Sequence, residues 1–262
     1  MTALWTLAKI VWLEMLRKKE IYVLFILLAA LLLALISLDV YGLGQVTGYV
    51  KEIGLLGAWV LGWILAVNTS VRQLPQEERR GTVFPLLAKP VSRLELVLGK
   101  WLGSWTIVCG ATFCFYAATW GVTLLRGGTF APAVVVQAAL LHAAALGVVA
   151  ALGIALSTRM NPDAAAATAY VVTGASFLLV PRVPALLVTS KGLSGALLLV
   201  VYNLLPHFEL FDERRRLVHD WGPAHGGAIS GALLYGALLT AVFLLLAWIG
   251  YRKKKFSRGD IL

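Results

Sequence analysis

Long apolar stretches constrain this chain more than any other feature of its sequence. A helix rises about 1.5 Å per residue, so roughly 20 mainly apolar residues are needed to cross about 30 Å of hydrocarbon. Only 14% of the 262 residues are charged, whereas soluble domains carry about 25%. We therefore expect an all-α membrane protein that forms a single transmembrane domain over residues 1–262. The six predicted spans are residues 21–38, 53–71, 101–125, 133–156, 164–180 and 228–250.

The basic residues predict the orientation of these spans. Most of the 23 Lys and Arg residues lie before the first span, in the loop 72–100 and in the tail after residue 250. Cytoplasmic loops are enriched in Lys and Arg, so both termini are expected in the cytoplasm of a multi-pass protein of the inner membrane. The short apolar stretch 193–205 is expected to lie at the interface or to re-enter, because a seventh span would move the basic tail outside. The net charge of +10 thus reports topology, and no nucleic-acid partner is expected.

Residues 2–20 show a helical pattern with two faces. Lys9 and Arg17 lie on one arc, and Ala8 and Val11 lie opposite. This spacing predicts an amphipathic helix half-sunk among the lipid headgroups. The alternative is a plain basic segment that leads into the first span.

The loop 72–100 contains too many aliphatic residues for a solvated linker. Ser92 and Glu95 have the spacing of a capping box, in which each side chain bonds a backbone amide of the other residue. The pattern predicts a short separate helix of fewer than ten residues that ends at Gly99. So short a helix is unstable alone, and we expect its apolar side to dock on the membrane domain or on a partner.

The same loop resembles that of a known family. The residues that carry the resemblance are Glu78, Gly81-Thr82, Leu86-Leu87, Pro90-Val91-Ser92-Arg93, Gly99-Lys100 and Gly103. Together they look like the signature loop of type-2 ABC exporter permeases, in the branch linked to maturation of multicopper enzymes and nitrous-oxide reductase. The resemblance covers most of the chain, and residues 202–220 are similar to a Pro-Asn-Phe-x-x-Phe-Asp segment of that branch. His207 stands where that segment usually has Asn.

The resemblance implies a coupling helix that sits in a groove of a separate ATPase and moves the spans. It also implies two ATPase subunits, which hold ATP and Mg, and a second copy of the permease in a homodimer. This chain would bind no cofactor and would act in export or in force transmission. The residues to which the resemblance assigns ATPase coupling are Glu78, Arg80, Gly81, Pro90, Ser92, Arg93, Glu95, Gly99 and Lys100.

No ATP site is visible in the sequence itself. Gly99-Lys100 is followed by Trp101 and lacks the glycine spacing of a phosphate loop, so we expect a non-catalytic subunit. The alternative is a stand-alone protein, either an ion-coupled transporter or an intramembrane enzyme. It would depend on Glu78 or on His142, the ionisable residue nearest mid-span. His142 is expected to be neutral and bonded to a neighbouring helix, with a role in substrate or proton transfer as the other interpretation.

The segment 181–223 is predicted to lie on the external side. It holds an amphipathic piece whose candidate residues are Pro206, Phe208, Phe211 and Asp212. This piece is expected to gate the external end or to dock a periplasmic or extracellular partner. Alternatively, it rests on the outer surface of the lipid. Cys109 and Cys114 do not share a helix face, and no metal site is expected.

Overall fold

A computed structural model of the chain describes residues 2–17, 19–37, 46–79, 92–190 and 192–252. These residues are almost entirely helical, with no strand in the described ranges. The expected all-α membrane fold is therefore confirmed. Its helices are α1 (Thr2–Arg17), α2 (Lys19–Ser37), α3 (Val46–Arg79), α4 (Arg93–Leu125), α5 (Pro132–Ser157), α6 (Pro162–Leu178), α7 (Val183–Thr189), α8 (Leu193–Leu204), α9 (Arg214–Val218) and α10 (Gly226–Arg252), with 3₁₀ turns at Val180–Arg182 and Phe208–Phe211.

Five described helical stretches are long and apolar enough to cross a membrane, and a bent pair of helices brings the possible number to six. The five are α3, α4, α5, the stretch Pro162–Thr189 and α10. The sequence-predicted span 21–38 coincides with α2, whose apolar part, Tyr22–Ala34, is shorter than a full span. Residue 38 lies outside the described ranges.

Helix α5 is the central element of the bundle. It packs against α3, α4, α6 and α10, and its small residues allow those helices to approach closely. Trp105 and Trp101 of α4 donate their indole N–H groups to the carbonyl oxygens of Ala143 and Gly147, at 2.7 and 3.0 Å. A Cβ on Gly147 would lie 3.2 Å from the Trp105 nitrogen. The stripe of small residues on this helix thus packs against α4, as such stripes do between membrane helices.

The predicted short helix before the third span is wrong as a separate element. Helix α4 begins at Arg93 and runs without a break to Leu125. Gly99 does not end a helix, because it lies inside α4, where a Cβ would come within 2.7 Å of the Leu7 Cβ. A glycine is needed at position 99 because α1 approaches α4 closely there. Arg80, Gly81 and Pro90 lie outside the described residues.

Helix α1 has the two faces that its sequence predicts, but the apolar face contacts protein. Ala8 and Val11 are fully buried, and a Cβ on Gly103 of α4 would lie 2.7 Å from the Val11 Cβ. Trp12 donates its indole N–H to the Thr106 hydroxyl oxygen at 2.8 Å. In the described residues, α4 therefore covers the face that was expected to lie among the headgroups.

The bent pair Leu193–Leu204 and Phe208–Val218 turns by 45°. The chain leaves α6 beside Phe177, and the Arg214 guanidinium returns to within 5.3 Å of the Phe177 ring. Soon afterwards the Ala224 N–H donates to the Gln137 side chain near the start of α5, at 3.0 Å. The pair thus ends near the end of the bundle where α5 begins. We name this end the Asp220 end, and the opposite end, where α4 begins and α10 ends, the Arg93 end.

Candidate functional site

The start of α4 carries the capping box that the sequence predicts. The Glu95 N–H donates to the Ser92 hydroxyl oxygen at 3.1 Å, and the Ser92 N–H donates to the Glu95 carboxylate at 2.7 Å. Two amides that a helix N-terminus leaves without intrahelical partners are thus satisfied. The capping box is confirmed, and it fixes the first turn of a helix that continues across the bundle.

Arg93 connects the start of α4 to the end of α10. Its Nη1 donates to the backbone carbonyls of Tyr251 and Arg252, at 3.1 and 2.6 Å. These carbonyls lie in the last turn of α10, where the helix dipole favours a cation. The Arg93 side chain, to which the resemblance assigns ATPase coupling, therefore joins α4 to α10 by hydrogen bonds within the chain.

Lys100 connects the same part of α4 to α3. Its ammonium lies 2.5 Å from the Glu77 carboxylate, and its side chain is only 1% exposed. Glu78, the next residue of α3, is half-buried near the same end. The resemblance assigns Lys100 to ATPase coupling, whereas in the structure Lys100 is a buried ion-pair partner of Glu77.

The first turns of α4 are thus fastened to three other helices. The contacts are Gly99 with Leu7 of α1, Lys100 with α3, and Arg93 with α10. Leu94 lies between these anchored residues and is 42% exposed. A force on the exposed side of this turn would therefore reach α1, α3 and α10 together.

The residues predicted for an external partner or gate lie at the Asp220 end, and most of them are buried. Pro206 is buried, Phe208 is 3% exposed and Phe211 is fully buried. A Cβ on Gly236 of α10 would meet the Phe211 ring at 3.0 Å. Asp212 accepts two hydrogen bonds from the Arg214 guanidinium, at 2.8 and 2.7 Å. The two phenylalanines cannot dock a partner in this arrangement, because their rings form part of the core.

His142 is buried at mid-helix in α5, with 1% exposure. Its ring stacks on Trp59 at a centroid distance of 4.1 Å and an interplanar angle of 2°. Neither ring nitrogen has a hydrogen-bond partner among the described residues. The expected bond to a neighbouring helix is therefore absent there, and a neutral ring is favoured because a buried charge without a counterion is strongly destabilising.

A further ion pair, at the Asp220 end, was not predicted from the sequence. Lys51 in the first turns of α3 lies 2.7 Å from Asp220, and its ammonium is 4.8 Å from the Phe130 ring centroid. Lys51 is the cation nearest the start of the second predicted span, but its partner is 169 positions away. The described residues contain no group of three His, Cys, Asp or Glu side chains that would hold a metal.

A family described as ABC-2 family transporter protein matches residues 5–256. No curated protein matches the chain. Because the family match covers nearly the whole sequence, the chain belongs to the ABC-2 transporter family and is a permease component of an ABC transporter.

Proposed function

We propose that this chain is the membrane subunit of an ATP-driven exporter, and that a separate ATPase moves it through the Arg93 end. The observation that carries the proposal is the anchored first turn of α4. It is capped by Ser92 and Glu95 and clasped to α10 by Arg93. A rigid turn transmits displacement, whereas a loose loop would absorb it.

The charges favour a cytoplasmic Arg93 end. Arg79, Arg159 and Arg252 are exposed at that end. At the Asp220 end, Arg214 and Arg216 form ion pairs with Asp212 and Glu213. By the positive-inside rule these charges support a cytoplasmic Arg93 end, where an ATPase would meet it.

The assembly proposed for this function has two permease copies and two ATPase subunits. ATP and Mg would be bound by the ATPase subunits, and the translocation path would lie between the permeases. Membership of the branch linked to multicopper-enzyme and nitrous-oxide-reductase maturation is supported by the loop residues that carry the resemblance, of which Ser92, Arg93 and Gly99 are among the described ones. A gating role for Phe208 and Asp212 is proposed alongside, since both lie where the re-entrant segment meets the spans.

The proposal is tested by substituting one exposed leucine at each end of α4. Leu94 is 42% exposed at the Arg93 end, and Leu125 is 83% exposed at the other end of α4. We expect Leu94→Arg to abolish co-purification with the nucleotide-binding subunit of the same transporter, because the substitution places a cation in the contact. Leu125→Arg is the matched control and should retain the complex. Equal recovery of the ATPase with both variants would overturn the assignment of the coupling surface.

A further inference from the structure

A cavity of about 220 Å³ lies between α3, α5 and α6, and the 3₁₀ turn Phe208–Phe211 covers it at the Asp220 end. Its wall includes Trp59, Trp63, Ala145, Leu146, Phe177 and Phe208. The cavity could not be predicted from the sequence, because the three helices that form it are distant along the chain. No step of the proposed coupling uses it.

The wall of this cavity exposes almost no polar surface. Its Thr173 hydroxyl accepts from the Trp63 indole at 2.8 Å and donates to the Ala169 carbonyl at 2.5 Å. The His142 ring in the wall is stacked face to face on Trp59, and its two nitrogens are buried, with no partner among the described residues. An apolar cavity of about 150 Å³ stays free of water and accepts benzene or xenon. A larger cavity with such a wall therefore favours a hydrocarbon occupant over water.

The mouth of the cavity lies between α3 and α6. Among the lining residues, Leu56 and Val60 of α3 are 40% and 39% exposed, and Leu178 of α6 is 56% exposed. Ala145 and Leu146 of α5 form the opposite wall, and each is 2% exposed. Because α3 and α6 belong to membrane-spanning stretches, this mouth opens towards the hydrocarbon of the bilayer.

Charged groups lie behind the aromatic wall at the Asp220 end. The Arg214 guanidinium is 5.6 Å from the Trp59 ring centroid and 5.3 Å from that of Phe177. Its partner Asp212 is 20% exposed. The Trp59 and Phe177 rings thus lie between the apolar cavity and the charged Arg214 side chain. This arrangement suits a molecule with a hydrocarbon chain and a polar head.

We infer that the cavity binds the hydrocarbon chain of a membrane amphiphile, which enters between α3 and α6 with its polar head towards the Asp220 end. The inference deepens the proposed function. It rests on that function in one respect only, namely that the bound molecule belongs to the class of molecules that the transporter moves. The binding itself needs no ATPase. A failure of binding would leave the coupling surface intact, and a failure of coupling would leave the binding site intact.

A substitution at Gly174 fills the cavity. A Cβ there makes only ordinary contacts, 3.5 Å from the nearest Trp63 atom, so Gly174→Ala fits the fold and Gly174→Leu extends into the empty space. A Cβ on Gly110 of α4 would meet no neighbouring side chain within 4 Å among the described residues, and Gly110→Leu is the matched control.

The test uses the purified full chain in vesicles of phosphatidylethanolamine and phosphatidylglycerol. One arm contains a phospholipid with a diazirine in its acyl chain, and the other contains a diazirine-bearing palmitic acid, which distinguishes membrane lipid from a free single-chain amphiphile. After irradiation, mass spectrometry locates the label. We expect label on Ala145 or Leu146, which bulk lipid does not reach, in at least one arm. This label should fall in Gly174→Ala, disappear in Gly174→Leu and persist in Gly110→Leu.

Two results would overturn the inference. One is the absence of label on α5 in the unsubstituted chain in both arms, as expected if a second copy closes the mouth. The other is equal labelling of α5 in Gly174→Ala and Gly110→Leu. Gly174→Ala gives this answer even if the leucine variant does not fold.

Discussion

The ion pair between Lys100 and Glu77 makes the sharpest prediction about what holds the Arg93 end together. Lys100 is 1% exposed and Glu77 12% exposed, so solvent screens the pair only weakly. Removing one partner of a buried pair typically costs about 3–5 kcal/mol. Glu77 has further interactions and some exposure. We therefore expect Lys100→Met to lower the free energy of unfolding by about 2–4 kcal/mol.

A double-mutant cycle isolates the pair. Glu77→Gln removes the other charge, and the double variant should lose less than the sum of the single losses, with a coupling of about 1–3 kcal/mol. Reversible unfolding in mixed micelles, followed by far-UV circular dichroism, supplies the free energies. Lys9→Met is the control, because Lys9 is an exposed lysine of α1 and its loss should stay within about 0.5 kcal/mol. Additive single losses would show that Lys100 and Glu77 do not stabilise the fold as a pair.

Two other contacts are tested by the same unfolding measurement. Gly103→Val should destabilise the chain by about 1–3 kcal/mol, because even a Cβ at this position lies 2.7 Å from the Val11 Cβ. Gly110→Val is the control, since it meets open space and should destabilise the chain much less. Equal losses of stability in the two variants would contradict the close packing of α1 on α4. Lys51→Met should lower the free energy of unfolding by about 1 kcal/mol or less, because the Asp220 side chain is 59% exposed and solvent screens the pair; a loss as large as that of Lys100→Met would show that exposure does not set the strength of these pairs.

Features that depend on neighbouring residues could be predicted from the sequence. The long apolar windows predicted the helices, and the spacing of Ser92 and Glu95 predicted a capping box that the structure confirms. Two faces were also predicted for α1, since a helical period places residues three and four apart on one side. In each case the chemistry is local, so the pattern in the chain carries it.

Features that depend on distant partners could not be predicted. Gly99 looked like a helix end, but it is the point where Leu7 approaches α4, and its contact lies more than ninety positions away. Lys100 was assigned to ATPase coupling, and its ion-pair partner in α3 could not be predicted from the sequence. Phe211 was assigned to an external gate or partner contact, because the alternation of apolar and charged residues does not reveal that α10 covers its ring. Only the tertiary structure shows which neighbour covers each face.

The cavity illustrates the same limit for function. Its wall combines α3, α5, α6 and the turn Phe208–Phe211, and no single segment reads as a binding motif. His142 stood out in the sequence as an isolated ionisable residue, yet the partner that defines its position is the stacked Trp59 ring. Apolar side chains that line a cavity have the same sequence pattern as those that fill a core.

The rate of ATP hydrolysis tests the central claim most directly. The nucleotide-binding subunit is measured alone and then in proteoliposomes with this chain, with Leu94→Arg and with Leu125→Arg. We expect the unsubstituted chain and Leu125→Arg to change the hydrolysis rate, and Leu94→Arg to leave it at the value of the isolated subunit. A rate that is the same with and without the unsubstituted chain would contradict coupling through the Arg93 end.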